Sequence, residues 1–288
     1  MNVALWMIGG LVSLSMMAIG ARELAGEITT FQILFFRSVI SLIIITLIIY
    51  KSKKTRLFSS KRIKLHIVRN VFHFVGQYGW FLGLGLLPLA HVFALEFTVP
   101  LWTLVIAALF LKEGITARKV IAVLFGVAGV YVILKPGIEI VDSASIIVLI
   151  AAIGYSVSHV TTKALSNTED TLTVLFYMCL IQLPIGLLLT INDWVFPNLE
   201  QWLWLGVVGI TALTAHYCIT NAMKLTEAGI VVTLDFLRLP LIAVVGVIFY
   251  NEAFEVAVIL GASLMLFGNL INLKSSKAKR LPIATDQA

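Results

Sequence analysis

The chain contains Glu96-Phe97-Thr98-Val99-Pro100-Leu101 inside one long apolar run, and Asp235-Phe236-Leu237-Arg238-Leu239-Pro240 inside another. Each segment has an acid, a phenylalanine directly after it and a proline four or five residues further on. A shift of 139 positions places Glu96 on Asp235 and Phe97 on Phe236. Because acids are rare inside apolar runs, this recurrence indicates that the chain consists of two copies of one unit.

The same shift aligns distinctive residues on both sides of these segments. The matching pairs are Tyr78 with Tyr217, Phe110 with Phe249, Glu113 with Glu252, Gly129 with Gly268 and Lys135 with Lys274. Near the N-terminus a shift of 141 aligns Arg22 with Lys163. We therefore predict a first repeat over residues 1–138, a second repeat over 139–275 and a basic tail over 276–288.

The composition predicts a membrane protein. Of the 288 residues, 60% are apolar and only 12% are charged, with a mean hydropathy of +1.01. Soluble domains carry about 25% charged residues, so a soluble surface is excluded. Apolar runs long enough to cross a bilayer lie at residues 3–20, 30–50, 65–86, 90–111, 118–134, 144–162, 171–191, 202–222, 228–250 and 254–273.

Ten spans in two repeats give five spans to each repeat. An odd number means that the second repeat enters the membrane from the opposite side, so the repeats are inverted. Inverted repeats are typical of secondary transporters, whose substrate site lies between the halves near the midplane. The predicted fold is therefore all-α, with ten transmembrane helices as two inverted five-helix repeats around a central cavity.

The basic residues predict the orientation of the chain. With the N-terminus in the cytoplasm, seventeen Lys and Arg residues lie on the cytoplasmic side and two on the outer side. This asymmetry follows the positive-inside rule, so we expect both termini in the cytoplasm. Because the cluster at 51–69 and the tail flank apolar runs, we expect them to face lipid headgroups and not nucleic acid.

The chain resembles the EamA family of the drug/metabolite transporter superfamily. The resemblance rests on the five-plus-five duplication, the two acid-to-proline segments above, Gly126-Val127-Ala128-Gly129-Val130, and the motifs Leu111-Lys112-Glu113-Gly114 and Tyr250-Asn251-Glu252-Ala253. It covers nearly the whole chain. It implies a helical bundle whose third, fourth, eighth and ninth helices line a central cavity, with contributions from the first and sixth. It does not indicate which metabolite is carried.

Three intramembrane charges are the first candidates for substrate binding. Glu96, Asp235 and Arg238 lie within predicted spans, where a charge costs roughly 2.5–3.5 kcal/mol and therefore usually faces an interior cavity. The acids are suited to a substrate ammonium or a proton, and the guanidinium to a carboxylate or phosphate. The alternative is a structural ion pair between Asp235 and Arg238, three residues apart on one helix.

Three further residues are predicted to have gating or structural roles. Pro100 and Pro240 each remove a backbone donor from the span that carries an acid, so they bend it and leave a carbonyl unpaired. Arg37 lies in the second span and is expected to hold that helix to the bundle through carbonyl groups or Glu96.

Polar and aromatic residues of the third, fourth and eighth spans complete the predicted substrate site. They are His73, Gln77, Tyr78, Trp80, Trp102, His216, Tyr217 and Asn221. His73, Gln77 and Trp80 share one helix face, as do Tyr217 and Asn221. Aromatic rings there suit a planar or cationic ligand, while interhelical packing and hydrogen bonding are the alternative.

The function predicted from these features is transport of a small polar metabolite, such as an amino acid, by alternating access. A lipid or lipid-linked sugar flippase is the alternative, and an intramembrane aspartyl-type enzyme is disfavoured, so we expect no enzymatic activity. The sequence has no phosphate-binding Gly-Lys loop and no metal-ligand spacing, so no cofactor or metal is expected. We expect a monomer in a bacterial inner membrane, with protons as the candidate coupling ion and His91, His159 and His216 as candidate proton carriers.

Overall fold

A computed structural model describes residues 3–110, 116–134, 143–226, 231, 234–235, 238–253 and 255–278 of the chain. The helices longer than one turn are α1 Val3–Leu24, α2 Thr30–Lys51, α3 Ile63–Leu86, α4 Leu89–Glu96, α5 Val99–Phe110, α6 Ala117–Leu134, α7 Ser143–Ser166, α8 Thr171–Thr190, α9 Leu199–Leu225, α10 Arg238–Tyr250 and α11 Val256–Ala278. Within these ranges no strand occurs. The predicted all-α membrane fold is confirmed.

The observed helices reproduce the ten predicted spans, with α4 and α5 forming the fourth. Six stretches are long and apolar enough to cross a bilayer by themselves, and three shorter apolar helices correspond to the fifth, ninth and tenth spans. The third span is α3, which has 24 residues and is less apolar than those six stretches. Some predicted features lie outside the described residues: Glu113, Lys135, Phe236 and the tail from 279 onward. The basic loop between α2 and α3 contains a 3₁₀ turn at Thr55–Phe58.

The fourth span is broken immediately after its acid. α4 ends at Glu96, and α5 begins at Val99. Pro100 has no N–H to continue the helical ladder, and the Thr98 hydroxyl donates to the Leu95 carbonyl oxygen at 2.8 Å. This break places the carboxyl group of Glu96 at the end of a half-helix inside the bundle. In the second repeat, Asp235 precedes α10, which begins at Arg238.

The two repeats exchange packing partners, since helices of one repeat pack mainly on helices of the other. α1 packs mainly on α9, and α3 packs on α7 in the same way. Since α1 and α7 are the first helices of their repeats and α3 and α9 the third, these two interfaces are equivalent. α2 also packs on α8, and α6 on α11. This is the pairing expected from a two-fold axis between inverted repeats.

Glycines allow the exchanged helices to approach closely. A Cβ atom built on Gly154 in α7 would lie 2.7 Å from the carbonyl oxygen of Phe72 in α3. A Cβ on Gly79 in α3 would lie 2.9 Å from the carbonyl oxygen of Ile147 in α7. Both distances are too short for a real side chain, so these backbones are in contact because the positions carry glycine.

A basic residue at the end of α1 binds the carbonyl end of α3. Arg22 donates to the carbonyl oxygen of Leu84 and, at 2.8 Å, to that of Leu87. These carbonyls have no partner within their own helix, and a cation also complements the negative end of the helix dipole. Arg22 pairs in addition with Glu252 at 3.2 Å, whose second oxygen accepts from the Leu89 N–H at 2.8 Å.

The second repeat contains the equivalent contact. The Lys163 ammonium, at the end of α7, donates to the carbonyl oxygens of Met223 at 2.6 Å and Thr226 at 3.0 Å. Both carbonyls lie 139 positions after the two that Arg22 binds. The duplication is therefore visible in individual hydrogen bonds as well as in the sequence. Because the repeats are inverted, the two contacts lie at opposite ends of the bundle.

Candidate functional site

A central cavity lies where the two repeats meet. Its walls come from α1, α3, the end of α4, α7, α9 and the start of α10. It is lined by Leu14, Met17, Arg69, His73, Gln77, Trp80, Glu96, Tyr155, Ser158, His159, Thr162, His216, Ile219, Thr220, Asp235 and Arg238. Its volume of about 50 Å³ is well below the 300 Å³ or more of pockets that hold small molecules. The cavity in this structure is therefore too small for a metabolite.

One arginine joins the acids of the two repeats. Arg238 Nη2 lies 3.1 Å from Glu96 Oε1 and 2.6 Å from Asp235 Oδ2, and its guanidinium carbon lies 4.6 Å from the centre of the Phe93 ring. Trp80 Nε1 donates to the other oxygen of Glu96 at 2.8 Å. The predicted residues Glu96, Asp235, Arg238 and Trp80 therefore form one cluster, in which Arg238 and Trp80 are buried and the two acids are partly buried.

This cluster has unused hydrogen-bonding capacity. Asp235 Oδ1, Arg238 Nε and Arg238 Nη1 are buried and have no hydrogen-bond partner among the described residues. With both acids ionised, the cluster has two negative charges and one positive charge. Unpaired buried polar atoms cost free energy. A bound cation would neutralise the excess negative charge, and its own N–H or O–H donors would hydrogen-bond Asp235 Oδ1.

A polar stripe on α3 forms one wall of the cavity. Arg69, His73, Gln77 and Trp80 follow one another at intervals of three or four residues, so they share a helix face. The His73 ring lies 4.6 Å from that of His216, which brings the two predicted histidines together across the bundle. Both amide atoms of the Gln77 side chain are buried without a partner among the described residues.

Arg69 is a cavity residue that the sequence analysis did not identify. It was assigned to the cytoplasmic basic cluster, but its side chain is only 1% exposed. Arg69 Nε donates to Thr162 Oγ1 at 2.9 Å, and Nη1 donates to Asn70 Oδ1 at 2.6 Å. Its spacing of four residues before His73 was the available signal. Tyr155, Ser158, Thr162 and Thr220 were also missed as lining residues.

Four predicted substrate residues lie outside the central cavity. Tyr78 stacks on Phe31, with ring centroids 4.3 Å apart. Tyr217 packs edge-on against Trp6 at 5.5 Å, and Asn221 contacts Thr171 at 3.0 Å. Trp102 lines a separate apolar groove between α5 and α6. On α9 the predicted His216 lines the cavity together with Thr220, while Tyr217 and Asn221 lie on a neighbouring face of that helix.

The residues predicted to have structural roles also differ in their placement. Arg37 is fully buried and donates to Gln182 Oε1 in α8. This hydrogen bond links α2 to α8, and not to Glu96 as predicted. Pro100 is buried directly after the break in the fourth span. The side chain of Pro240 lies outside the described residues.

Two apolar grooves lie away from the charged cluster. The groove between α5 and α6 has a volume of about 310 Å³, and another, between α10 and α11, has about 170 Å³. The second has Glu252 and Glu255 in its lining. Their other lining residues are almost entirely apolar, as expected of surfaces that face lipid. The described residues contain no group of His, Cys, Asp and Glu that could hold a metal ion.

Comparison with known proteins identifies the family. The model of the EamA-like transporter family matches residues 1–135 and 142–274. The chain is 24% identical to an S-adenosylmethionine uptake transporter of Rickettsia bellii, over 94% of this chain and 93% of the relative. It is 28% identical to a riboflavin transporter of Brucella anthropi, over 81% and 86% of the two chains. A crystal structure with 18% identity matches 97% of this chain and 99% of its own, with a TM-score of 0.71. The chain belongs to the EamA-like transporter family.

Proposed function

We propose that this protein carries an organic cation that also bears a carboxylate and a planar ring, with S-adenosylmethionine as the first candidate. The observation that supports it is the partly buried cluster of Glu96, Asp235 and Arg238, which has an excess of one negative charge when both acids are ionised. An intramembrane charge that is not neutralised is costly. A substrate cation would neutralise the cluster and use the free oxygen of Asp235.

The rings around the cluster support a substrate with a planar group. Trp80 and Tyr155 line the cavity beside the acids, and aromatic side chains stack on planar groups and attract cations to their faces. Relatives named for S-adenosylmethionine uptake match 94% and 96% of this chain. Riboflavin, the substrate named for other relatives, is neutral, so the two acids favour a cation over it.

We propose that transport proceeds by alternating access. The closed cavity is too small for a metabolite, so the halves must separate at one end and then at the other. The inverted repeats provide two states of similar energy for this cycle. We further propose a monomer in a bacterial inner membrane with both termini in the cytoplasm. Proton coupling and exchange of one metabolite for another are the two modes to be distinguished by imposing a pH gradient.

The test is uptake of radiolabelled S-adenosylmethionine and riboflavin into proteoliposomes that contain the purified protein. We expect S-adenosylmethionine uptake, and a loss of about tenfold or more in Glu96→Gln and Asp235→Asn, since hydrogen bonds to charged groups contribute about 1.5–3 kcal/mol. Glu200→Gln is the matched control, because Glu200 is exposed at the start of α9.

Several outcomes would contradict the proposal. Uptake equal to that of protein-free liposomes would exclude S-adenosylmethionine as substrate, and uptake of riboflavin alone would reverse the substrate preference. Wild-type rates in both acid variants would remove the cluster from the mechanism. Movement of labelled lipid between leaflets, without uptake of either metabolite, would favour the flippase alternative.

A further inference from the structure

We propose that Arg69 is the carboxylate-binding subsite of the central cavity, at the end opposite to the acids. The proposal rests on the proposed function and specifies how the substrate is oriented within the site. The carboxylate of the substrate contacts Arg69, while its cationic part contacts Glu96 and Asp235. Arg69 is then a specificity-determining residue that selects metabolites with a free carboxylate.

The position of Arg69 separates it from the acidic cluster. It lies eleven residues before Trp80 on α3, which corresponds to roughly 16 Å at a rise of 1.5 Å per residue. Trp80 in turn donates to Glu96. Both residues line the same cavity, so the cavity runs along α3 with a guanidinium near one end and two carboxylates near the other.

Within the part of the chain that the structure describes, the hydrogen bonds of Arg69 leave its charge without a counter-charge. Its described partners, Thr162 and Asn70, are neutral side chains. No carboxylate among the described residues forms an ion pair with it. By contrast, Arg238 pairs with two acids and Arg22 with one. Buried charges are normally paired, so an unpaired guanidinium lining a cavity indicates an anion that arrives with the substrate.

A second buried arginine strengthens the positive end. Arg37 is fully buried and donates to Gln182, whose amide nitrogen lies 2.8 Å from His73 Nδ1 in the cavity wall. Arg37 Nε and Nη1 have no partner among the described residues. The chain Arg37–Gln182–His73 therefore places another positive charge behind the same part of the cavity, although Arg37 itself does not line it.

This distribution of charge restricts the class of substrate. A guanidinium binds a carboxylate with two parallel N–H donors, which an ammonium cannot do. Because the two charged ends are separated along α3, an elongated zwitterion with its ring or cation several bonds from its carboxylate can contact both. A compact α-amino acid can contact only one end. We therefore expect S-adenosylmethionine to bind more tightly than methionine.

The experiment compares ligands that differ only in the carboxylate. Dissociation constants are measured in detergent for S-adenosylmethionine and decarboxylated S-adenosylmethionine, and for methionine and methioninamide. The proteins are the wild type, Arg69→Gln, Arg69→Lys and the control Arg62→Gln. Arg62 lies one residue before α3 and binds Ala164 and Thr168 outside the cavity.

The expected result is a preference for the carboxylate-bearing member of each pair in the wild type. Arg69→Gln should reduce this preference by about 10- to 100-fold, the loss of a charge-assisted hydrogen bond. Arg69→Lys should retain part of it, and Arg62→Gln should retain all of it. Because the preference is a ratio measured within one variant, a change in folding stability does not produce it.

Three results separate this proposal from the proposed function. If Arg69→Gln weakens the binding of both ligands of a pair equally, Arg69 is not the carboxylate subsite, while the proposed substrate stands. If only the methionine pair shows the expected preference, the subsite stands and S-adenosylmethionine is wrong. If the wild type binds none of the four compounds, both proposals are overturned.

Discussion

Arg238 holds together acids from both halves of the chain. It is 1% exposed, and its pairs with Glu96 and Asp235 connect the broken fourth span to the start of α10. Removing one member of a buried charge pair costs more than the pair itself contributes, because the remaining charges are left without compensation. At this site the remaining charges are also of the same sign and close together.

We predict that Arg238→Gln lowers the free energy of unfolding by about 3–5 kcal/mol. The reason is that Glu96 and Asp235 then face each other in a poorly hydrated site, where two ionised carboxylates repel. The measurement is the thermal unfolding midpoint in detergent without ligand. Arg56→Gln serves as control, since Arg56 lies exposed in the basic loop.

The cause can be separated from a simple loss of packing. The double variant of Arg238→Gln with Glu96→Gln removes the repulsion, so it should recover about 1–3 kcal/mol relative to Arg238→Gln alone. A double variant as unstable as the sum of the two single variants would show that charge is not responsible.

Single residues also show how far the sequence predicts this site. Glu96, Asp235, Arg238 and Trp80 could be identified because a charge or its partner stands out in an apolar run. Arg69 is overlooked, although its spacing before His73 is a signal, because the charge counts that give orientation treat every arginine near a span end as a loop residue. The distinction depends on which way the side chain points, and this is decided by the packing of α3 against α7.

For whole helices, the sequence predicts where each span lies along the chain better than it predicts which side of the helix faces the cavity. Hydropathy located the spans, since burial in lipid and burial in protein both require apolar residues. The same fact hides orientation: lipid-facing and core-facing surfaces of a membrane helix are similarly apolar. In α9 the sequence predicts His216, Tyr217 and Asn221 alike, whereas only His216 of these lines the cavity, beside Thr220.

Close contact between α3 and α7 gives a prediction at this scale. Gly154→Ala should destabilise the protein by about 1–3 kcal/mol, the usual cost of an extra methyl group in a tightly packed interior. Its Cβ would lie 2.7 Å from the carbonyl oxygen of Phe72 and 3.0 Å from the Gly76 nitrogen. Thermal unfolding in detergent measures the effect.

The matched control is Gly206→Ala in α9. A Cβ there meets no atom within 4 Å, so the substitution should be neutral or stabilising, by up to about 1 kcal/mol from helix propensity. Equal destabilisation by Gly154→Ala and Gly206→Ala would contradict the assignment of α3 and α7 as a tight interface.

The whole molecule is organised by its approximate two-fold symmetry. The central cavity is too small for a metabolite, and equivalent basic residues bind the ends of α3 and α9 at opposite ends of the bundle. The duplication itself could be predicted from matched residues such as Tyr78 and Tyr217. The exchange of partners between the halves could not, because it depends on contacts between residues far apart in the chain, from Gly83 with Val148 to Ser13 with Thr214.

We predict that Arg22→Gln and Lys163→Gln open the cavity toward opposite faces of the membrane. Each change removes two hydrogen bonds to carbonyl oxygens at the end of a helix. The bond from Arg22 to Leu87 is 2.8 Å long, and the two bonds from Lys163 are 2.6 and 3.0 Å long. A cysteine introduced by Ser158→Cys reports access to the cavity, in a background of Cys179→Ala and Cys218→Ala. Labelling by a membrane-impermeant thiol reagent is compared in right-side-out and inside-out vesicles.

Labelling should rise severalfold from one face in Arg22→Gln and from the other face in Lys163→Gln. The conservative changes Arg22→Lys and Lys163→Arg preserve the charge near the helix dipole, so they are controls that should remain closed. A rise from the same face in both variants would show that these residues do not act at opposite ends.

The exchange of partners between the halves determines when the protein can finish folding during synthesis. α1 is made before the other described helices, but its main partner α9 begins at Leu199, after the rest of the first repeat and two helices of the second. At 5–20 residues per second, the ribosome needs roughly 10–40 s to make the intervening chain. During that interval the glycine-bearing face of α1 is in contact with lipid or with the insertion machinery. A ribosome that stalls before α9 therefore leaves an unpaired helix in the bilayer, which membrane proteases can recognise.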